Sequence, residues 1–343
     1  MCAVPASIAK MRMKHKSLIA EACFAALLAQ AVCASAFAAP PGDARQSVIT
    51  VPGPKGPLEG ALLVPVAASG PSVLIVPGSG PTDRDGNGPI INTATYQRVA
   101  EGLAARGIST LRIDKRGLFG SAKAIDDPNA VTTADYAADV KKWAGALKRE
   151  TGASCVWLLG HSEGGLISLL AGQDPAVCGL LLVATAGRPM GEVLRAQIRA
   201  NPANAPILDQ ALPAIDALEA GRRFDTADMH PALKPLFDPK VQGFLIDAFA
   251  VDPAKLIQEY SKPILVLQAQ RDLQVSADEA ARLAKAAPGA MVVTLPNTNH
   301  VLKTVTTDDV AINVATYANP TLPLAPGVID AIASFIVSKT VRP

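Results

Sequence analysis

The sequence contains one serine whose neighbours are those of a catalytic nucleophile. Ser162 is the centre of the sequence G-H-S-E-G at residues 160–164, which lies between a short apolar run and a helical segment. At such a strand-to-helix turn the serine has a strained backbone and its hydroxyl points out of the sheet. The flanking glycines are expected to be necessary because a Cβ there would collide with a neighbouring strand or helix. The motif therefore predicts Ser162 as a nucleophile, and glycines used for packing alone are the alternative.

A serine hydroxyl is a weak nucleophile, so its activation requires a base within hydrogen-bond distance. Beyond residue 38 the chain contains three histidines, which are His161, His230 and His300. We expect His161 to point away from the Ser162 hydroxyl, because successive side chains at a strand end diverge. His230 lies in a helical segment and is expected at the surface or in a lid. His300 follows the last predicted strand, at the carboxyl end of the sheet, and is the predicted base.

The base in turn needs an acceptor that fixes its tautomer and stabilises the imidazolium. Asp272 follows a predicted strand and lies between Ser162 and His300 in the chain. The resulting order Ser, Asp, His is the one expected for a strand-to-helix nucleophile turn. Asp308 and Asp309 are the competing carboxylates, but they lie in a threonine-rich segment beyond the histidine. We therefore predict Asp272 as the acid, with an ordinary surface aspartate as the alternative.

Negative charge that develops on a substrate carbonyl oxygen must also be stabilised, usually by two backbone N–H groups. Glu163 follows the nucleophile and is predicted to supply one of them. The second is predicted to be the N–H of Ser79, in a glycine-rich loop at residues 76–81. A plain turn is the alternative for this loop.

The sequence offers little support for a metal or cofactor site. Two cysteines and three histidines beyond residue 38 lie too far apart for zinc-ligand spacing. The glycines at residues 78–80 have neither the Lys-Ser/Thr pair of a phosphate loop nor a G-x-G-x-x-G pattern. We therefore expect no cofactor and no metal.

Short apolar runs alternate with helical segments along most of the chain. Strands are predicted at residues 72–76, 108–113, 155–159, 180–184, 263–267 and 291–295, and helices at residues 95–105, 132–148, 165–171, 277–286 and 328–337. This alternation predicts an α/β fold, in which a mostly parallel twisted sheet carries helices on both faces. An N-terminal hairpin at residues 47–65 adds an antiparallel edge. Residues 187–260 predict helices without a strand, as a helical cap over the carboxyl edge of the sheet, where ligands bind in such folds.

Three segments of the sequence resemble the α/β-hydrolase superfamily, in particular bacterial carboxylesterases and serine-aminopeptidase-like hydrolases of the S33 type. These segments are residues 77–87, 114–117 and 160–165, and the resemblance extends over nearly all of residues 47–340. It implies an α/β-hydrolase fold with a helical lid insertion. It also implies the catalytic triad Ser162, Asp272 and His300, with oxyanion roles for Ser79 and Glu163.

The first of these segments departs from the commonest family pattern at Pro77, where a histidine usually precedes the glycine. This departure leaves the backbone N–H of Ser79 in place. The charged residues of the first two segments are expected to form an ion-pair cluster that braces the loop, and the alternative is an arginine that binds a substrate carboxylate. They are Asp83, Arg84, Asp85 and Arg116.

Residues 1–38 have the pattern of a cleaved signal peptide. Four basic side chains at residues 10–16 precede an apolar run at residues 22–32, and small residues lead to Ala38. The apolar run is too short for a membrane-spanning helix, which needs about 20 residues. We expect cleavage near Ala38, a linker at residues 39–46, no membrane anchor after cleavage, and an exported protein that is periplasmic or secreted.

The length and composition of the chain beyond this leader suit one large domain or two, with a substantial core. The chain is 49% hydrophobic and has a net charge of +2. The leader has four basic residues against one acid, so the remainder has a net charge of about −1. Nothing in this balance favours nucleic acid or an anionic membrane as partner. Cys155 and Cys178 each lie beside a predicted buried strand, at matching ends, as a disulfide or as two free thiols.

These observations predict a serine hydrolase that cleaves small carboxylic esters through an acyl-serine intermediate. One alternative is an aminopeptidase or acyltransferase with the same triad; an aminopeptidase would need an acidic anchor such as Glu192 or Glu219 facing Ser162. Another alternative is a non-catalytic binding module on a hydrolase scaffold, which the complete triad disfavours. No pattern in residues 187–260 identifies the acyl chain or the alcohol, and no pattern indicates the oligomeric state.

Overall fold

The computed structural model describes residues 44–66 and 70–340. The predicted signal peptide at residues 1–38 lies outside the described residues, as do residues 39–43 of the predicted linker. No helix within residues 44–66 and 70–340 has the length and the apolar character needed to cross a membrane.

The fold is built on one sheet of eight strands. The strands are β1 Ala44–Pro52, β2 Pro57–Pro65, β3 Ser72–Val76, β4 Ser109–Ile113, β5 Val156–His161, β6 Val177–Val183, β7 Ile264–Ala269 and β8 Met291–Leu295. Their order in the sheet is β1-β2-β4-β3-β5-β6-β7-β8. Strands β1 and β2 form an antiparallel hairpin, β2 pairs antiparallel with β4, and the six strands from β3 to β8 are parallel to one another. The predicted sheet, with its antiparallel hairpin edge, is confirmed.

The first strand begins earlier than the sequence indicates. Strand β1 starts at Ala44 and pairs with Pro65 of β2, so residues 44–46 of the predicted linker belong to the sheet. The alternation of apolar and polar residues becomes visible only from Ser47, but the ladder of backbone hydrogen bonds continues beyond it. Pairing with β2, rather than the side-chain pattern, therefore holds residues 44–46 in the sheet.

Helices cover both faces of the sheet. Outside the cap they are α1 Thr95–Ala104, α2 Thr133–Thr151, α3 Glu163–Ala171, α8 Ala277–Ala286, α9 Val310–Ala315 and α10 Val328–Thr340. Side chains from α2, α3 and α8 pack on one face, around the fully buried Trp143. Side chains from α1 and α10 pack on the other face, where Phe335 stacks edge-on against Trp157. Every residue of β3, β4, β5 and β7 is buried, as expected for strands covered on both faces.

The sequence pattern does not predict helix α9. It has six residues and begins after Asp309, whose side chain accepts the backbone N–H groups of Ala311 and Ile312. A helix of this length is too short to show the period of 3.6 residues by which helices are recognised in a sequence.

Residues 187–260 are helical throughout their regular structure, as predicted. They contain α4 Met190–Ala200, a 3₁₀ helix at Pro202–Ile207, α5 Leu208–Glu219, α6 Gln242–Phe249 and α7 Pro253–Gln258. Most of this segment forms a separate small core, the cap core, whose buried members are Ile198, Ala211, Ala214, Ile215, Leu218, Leu233, Phe237, Leu245 and Phe249. Helix α7 instead joins the main core through Ile257.

Cys155 and Cys178 form a disulfide, which decides between the two states left open by the sequence. Their Cα atoms are 5.2 Å apart. Cys155 immediately precedes β5, and Cys178 is the second residue of β6. The bond therefore joins the amino ends of two neighbouring strands. Ser162 lies at the opposite, carboxyl end of β5.

Candidate active site

Ser162 occupies the turn between β5 and α3 in a backbone conformation that is rare for a residue with a side chain. Its φ and ψ angles are 55° and −121°. Its N–H donates to Val183 O at 2.9 Å, and its carbonyl accepts the N–H of Gly165 at 2.9 Å. Such a conformation costs free energy and persists only where the surroundings hold it in place. The hydrogen bonds to β6 and α3 do this here.

The glycines beside Ser162 are required by close backbone packing. A Cβ on Gly160 would overlap the carbonyl oxygen of Gly164 in α3. A Cβ on Gly164 would overlap the carbonyl oxygen of Val76 at the end of β3. These are the helix and strand collisions expected from the sequence. The turn can therefore form only with glycine at these two positions.

Asp272 and His300 are brought together at the carboxyl edge of the sheet, where β7 and β8 end. The distance between His300 Nδ1 and Asp272 Oδ2 is 2.7 Å, and the two side chains are 5% and 0% exposed. The other carboxylate oxygen of Asp272 accepts the N–H groups of Gln274 at 2.7 Å and Val275 at 2.9 Å. The carboxylate is thus fixed on both oxygens. A hydrogen on Nδ1 of His300 then leaves Nε2 as the basic nitrogen.

The two competing carboxylates have other partners. Asp308 forms an ion pair with Arg271, and its side chain is almost fully exposed. The side chain of Asp309 caps the first turn of α9. Neither residue shares the position that Asp272 takes beside His300.

The loop that carries His300 is fixed by a buried asparagine that sequence reasoning missed. Asn299 is fully buried, and its side-chain NH₂ donates to Asn313 Oδ1 at 3.0 Å and to Thr316 Oγ1 at 2.7 Å. Its side-chain oxygen accepts the N–H of Lys303 at 3.0 Å. All of these bonds are buried, so they are strong constraints on the backbone next to the base. The N-T-N sequence before His300 is polar where a surface loop would also be polar, and so carries no distinguishing signal.

His161 lies beside His300 rather than on the surface, with ring centroids 4.8 Å apart. Its Nδ1 is 3.0 Å from Tyr96 Oη, and its Nε2 is 2.8 Å from the carbonyl oxygen of His300. Tyr96 Oη also accepts the N–H of Gly78 at 2.9 Å, so its own hydrogen is left for Nδ1 of His161. Nε2 of His161 then carries a hydrogen and donates to the carbonyl of His300. Both ring nitrogens are used within the protein, and neither is free for Ser162.

Burial keeps this hydrogen-bonded chain neutral. Loss of hydration, reinforced by neighbouring His300, lowers the pKa of His161 to about 3. Burial also raises the pKa of Tyr96 well above its usual value. Tyr96 and His161, the two titratable side chains of this hydrogen-bonded chain, are therefore both uncharged at neutral pH. This hydrogen-bonded chain, from Gly78 through Tyr96 and His161 to His300, links the predicted oxyanion loop to the backbone of the predicted base.

The remaining histidine, His230, is exposed in the cap, as expected from the sequence. Its Nδ1 accepts the backbone N–H of Ala232 at 3.2 Å.

The loop after β3 runs directly against the nucleophile. A Cβ built on Gly78 would be 3.2 Å from Ser162 Cβ. The next residue, Ser79, is exposed, and its N–H has no acceptor among residues 44–66 and 70–340. The same holds, over the same residues, for the N–H of Glu163, the first residue of α3. A first-turn N–H has no acceptor within its own helix, and it lies at the positive end of the helix dipole.

The charged residues near this loop form two separate groups, which corrects the single cluster expected from the sequence. In the first group, Arg84 pairs with the buried Asp114 and with Glu59. Asp85 pairs with Arg112. Asp83 belongs to this group through its side chain, which accepts backbone N–H groups of the same loop.

Arg116 belongs to a different group. Its guanidinium donates to Asp139 at 2.6 and 2.8 Å and to Asp135 at 2.8 Å, both on α2. It is buried, and these contacts occupy it on one side of the sheet. Arg116 does not brace the loop at residues 83–85, and its guanidinium is already paired with Asp135 and Asp139.

The cap contains a groove of about 520 Å³ that is rich in charge. Glu219, one of the two acidic anchors considered for an aminopeptidase, lies in it and accepts from Arg195 at 2.6 Å. The groove is lined by Arg188, Pro189, Glu192, Arg195, Ala196, Arg199, Glu219 and Phe249.

No group of three or more His, Cys, Asp or Glu side chains in the described part of the chain is arranged to hold a metal ion.

Comparisons with known proteins agree with this arrangement. The family model described as serine aminopeptidase, S33 (Hydrolase_4) matches residues 87–303, more than half of the chain. The esterase EstD of Thermotoga maritima is 26% identical over 238 residues, which are 69% of this chain and 54% of that protein. The chain thus spans about half the length of this relative.

Solved structures share the fold at low sequence identity. Est1E from Butyrivibrio proteoclasticus superposes with a TM-score of 0.53 at 15% identity, over 86% of this chain and 99% of that one. A proline iminopeptidase from Mycobacterium smegmatis superposes with a TM-score of 0.56 at 15% identity, over 85% and 98% of the two chains. With the nucleophile turn, the sheet order and the extent of the family match, the chain belongs to the S33 serine aminopeptidase family of α/β hydrolases.

Proposed function

We propose that the protein hydrolyses small carboxylic esters through an acyl-Ser162 intermediate. The observation that carries this proposal is the buried Asp272–His300 pair, which lies at the same edge of the sheet as the strained turn of Ser162. A serine that is merely structural would need neither the rare backbone conformation nor a histidine held by a buried carboxylate. The curated relative in Thermotoga maritima is an esterase, which agrees with an ester substrate.

The proposed reaction assigns one role to each group. Nε2 of His300 removes the proton of the Ser162 hydroxyl as the oxygen attacks the ester carbonyl. Asp272 stabilises the imidazolium that forms and keeps its ring oriented. The N–H groups of Ser79 and Glu163 donate to the oxyanion, and His300 then protonates the leaving alcohol. Water activated by His300 hydrolyses the acyl-serine and releases the acid.

A second candidate function is an aminopeptidase or acyltransferase with the same triad, and the family description favours it. This candidate function requires a free acidic side chain that binds the substrate amino group, and the structure gives little support for one. Glu219 is already neutralised by Arg195, which also pairs with Asp216. Its carboxylate also packs against Gly191 of α4. This pairing disfavours Glu219 as an anchor, and Glu192 is the remaining one.

A non-catalytic binding role is disfavoured by the presence of all three members of the triad. We further infer that the substrate is a small molecule rather than a nucleic acid, because the chain beyond the leader has a net charge near zero. Export to the periplasm or the medium is inferred from the leader sequence alone.

The experiment that tests the proposal is p-nitrophenyl butyrate hydrolysis by the leaderless protein and by Ser162→Ala. Loss of the nucleophile should lower kcat by about 10⁴-fold or more. The matched control is Ser338→Ala, on the surface of α10, which should leave kcat unchanged. A fluorophosphonate probe should label the parent protein and not the Ser162→Ala variant.

Other outcomes separate the alternatives. Cleavage of an aminoacyl-anilide in preference to the matched ester would replace the esterase proposal by the peptidase. Retained ester hydrolysis in Ser162→Ala would contradict the assignment of the nucleophile. Absence of both turnover and labelling in the parent protein would favour the binding module.

A further inference from the structure

Lys115 is a buried cation beside the predicted oxyanion site, and it has no role in the proposed triad. It follows β4 by two residues, in the sequence D-K-R-G, and it is 9% exposed. Its Nζ donates to the carbonyl oxygen of Gly78 at 2.8 Å, and lies 3.6 Å from Glu163 Oε1. It also lies 5.5 Å from the centre of the Tyr136 ring. Burying an ammonium group is costly unless its partners compensate, so this position calls for a physical reason.

The partner atom of Lys115 belongs to the same peptide group as the predicted oxyanion donor. The carbonyl of Gly78 and the N–H of Ser79 are the two ends of one planar unit, and this peptide bond is trans. In a trans peptide the C=O and N–H bonds point in opposite directions. Fixing Gly78 O against Lys115 therefore fixes the direction in which the Ser79 N–H points.

The neighbouring peptide group is held as well. The N–H of Gly78 donates to Tyr96 Oη at 2.9 Å, on the other side of the Gly78 Cα. Gly78 lacks a Cβ, so its backbone would otherwise have more conformational freedom than that of a residue with a side chain. The two bonds from Tyr96 and Lys115 restrict rotation on both sides of this glycine.

The charge of Lys115 also affects the strength of the donor. A hydrogen bond from an ammonium group is stronger than one between neutral groups. Such a bond polarises the amide that accepts it, and at low local dielectric this makes its N–H a better donor. The same ammonium faces the side chain of Glu163, whose backbone supplies the other predicted donor.

We propose that Lys115 is a positioning residue that orients and polarises the Ser79 N–H toward the oxyanion of the reaction. This inference rests on the proposed function, because it takes Ser79 as an oxyanion donor. Lys115 does not touch the substrate and acts through the Gly78–Ser79 peptide. It stabilises the tetrahedral intermediate more than the bound ester, since the negative charge develops only during the reaction.

The test is Lys115→Met, which keeps the length and apolar stem of the side chain and removes the ammonium. Removal of a whole oxyanion donor costs about 10²–10³ in kcat, and a misaligned donor should cost less, about 10- to 30-fold. KM for p-nitrophenyl butyrate should stay within about twofold, because ground-state binding is unaffected. The inhibition constant of a trifluoromethyl ketone, which forms an anionic tetrahedral adduct on serine, should rise by the same factor as kcat falls.

Two further variants separate positioning from stability. Lys262→Met is the matched control, because Lys262 Nζ donates to Gly172 O at 2.9 Å, far along α3 from the nucleophile. It should lower the melting temperature without changing kcat or inhibitor binding. Lys115→Met/Glu163→Gln leaves no unpaired buried carboxylate and retains the Glu163 N–H. It should fold and show the same loss of kcat as the single variant.

Unchanged kcat and unchanged inhibitor affinity in a folded Lys115→Met variant would overturn the inference. So would a rise in KM with constant kcat. If the parent protein has no ester turnover, the proposed function fails first, and the rate of phosphonylation of Ser162 by a fluorophosphonate then provides the readout. That rate depends on the same donors, and an equal rate in parent and Lys115→Met would contradict the role of Lys115.

Discussion

The carboxyl edge of the sheet and the cap differ in what holds their side chains in place. At the sheet edge, the side chains of Asp272, His300 and His161 are buried and hydrogen-bonded. Asp272 accepts the N–H of Val275 and contacts His300, and His161 bonds to the carbonyl oxygen of His300, 139 residues away. In the cap, the apolar residues form a small separate core, and the charged side chains line an open groove in which Arg195 pairs with Glu219. Buried hydrogen bonds thus fix the side chains at the sheet edge. In the cap, surface side chains that pair with one another line the groove.

This difference indicates how the two regions divide the work of the molecule. A triad requires positions accurate to a fraction of an ångström, which packed strands and buried backbone bonds provide. A cap that forms its own core can change its groove without disturbing the sheet. Single substitutions at the sheet edge should therefore change kcat strongly, and those in the cap should change it weakly.

Among the variants that compare the two regions, the largest effect is expected for Asp272→Asn. Oδ1 of the side chain should keep the N–H groups of Gln274 and Val275, which places the new NH₂ toward His300. That NH₂ donates to Nδ1 and forces the hydrogen of the ring onto Nε2, so the base loses its acceptor site. We expect kcat for p-nitrophenyl butyrate to fall by about 10⁴-fold.

Asp308→Asn is the control for this variant, because Asp308 is the nearby carboxylate whose partner is Arg271. It should leave kcat within about twofold of the parent value. A large loss in Asp308→Asn with full activity in Asp272→Asn would reverse the assignment of the acid.

A smaller effect is expected on stability at acid pH, through His161. Its pKa is lowered to about 3 in the folded chain, mainly by burial, whereas an unfolded histidine titrates near its ordinary value of 6.5. Between these two pH values the unfolded chain binds the extra proton, so this group's contribution to stability falls as the pH falls. The loss is of the order of 3 kcal/mol between pH 6.5 and pH 4.

Urea unfolding at pH 7 and pH 4 measures this effect, with His161→Gln beside the parent protein. The variant should lose less stability on acidification by about the amount above, although it is less stable at pH 7. His230→Gln, which changes an exposed histidine of the cap, should show the same acid loss as the parent. Equal losses in the parent and in His161→Gln would show that His161 is not held neutral at the sheet edge.

The sequence predicts the parts of the site that depend on short-range pattern. The turn of Ser162 needs only a strand, two glycines and a helix in succession, all visible within ten residues. The pairing of Asp272 with His300 agrees with a prediction from chain order, because the carboxyl ends of parallel strands meet at one edge. The predicted strands and helices are present because they too follow from short-range patterns in the sequence. Their ends deviate by a few residues.

The parts that the sequence does not predict depend on packing between distant segments. Tyr96 reaches His161 across 65 residues, and Lys115 reaches Gly78 across 37. Nothing local distinguishes this tyrosine or this lysine from one at the surface. The sequence also groups Arg116 with the wrong partners, because its contacts depend on how α2 packs on the sheet. The sequence places Cys155 and Cys178 at matching ends of neighbouring strands. It does not decide whether they form a disulfide, because that depends on the distance between them in the folded chain.

The smallest effect is expected in the cap, for Arg195→Ala. The guanidinium pairs with Asp216 at 2.7 Å and with Glu219 at 2.6 Å, and all three side chains belong to α4 and α5. Pairs of this kind in partly exposed positions contribute about 1 kcal/mol or less, so the free energy of unfolding should fall by no more than that. The kcat for p-nitrophenyl butyrate should stay within about twofold, and Arg199→Ala, on the same groove, is the matched control. A loss of kcat in Arg195→Ala that approached the loss in Lys115→Met would mean that the groove orients the reacting carbonyl. The cap would then share the chemistry of the sheet edge, and the division between the two regions would no longer hold.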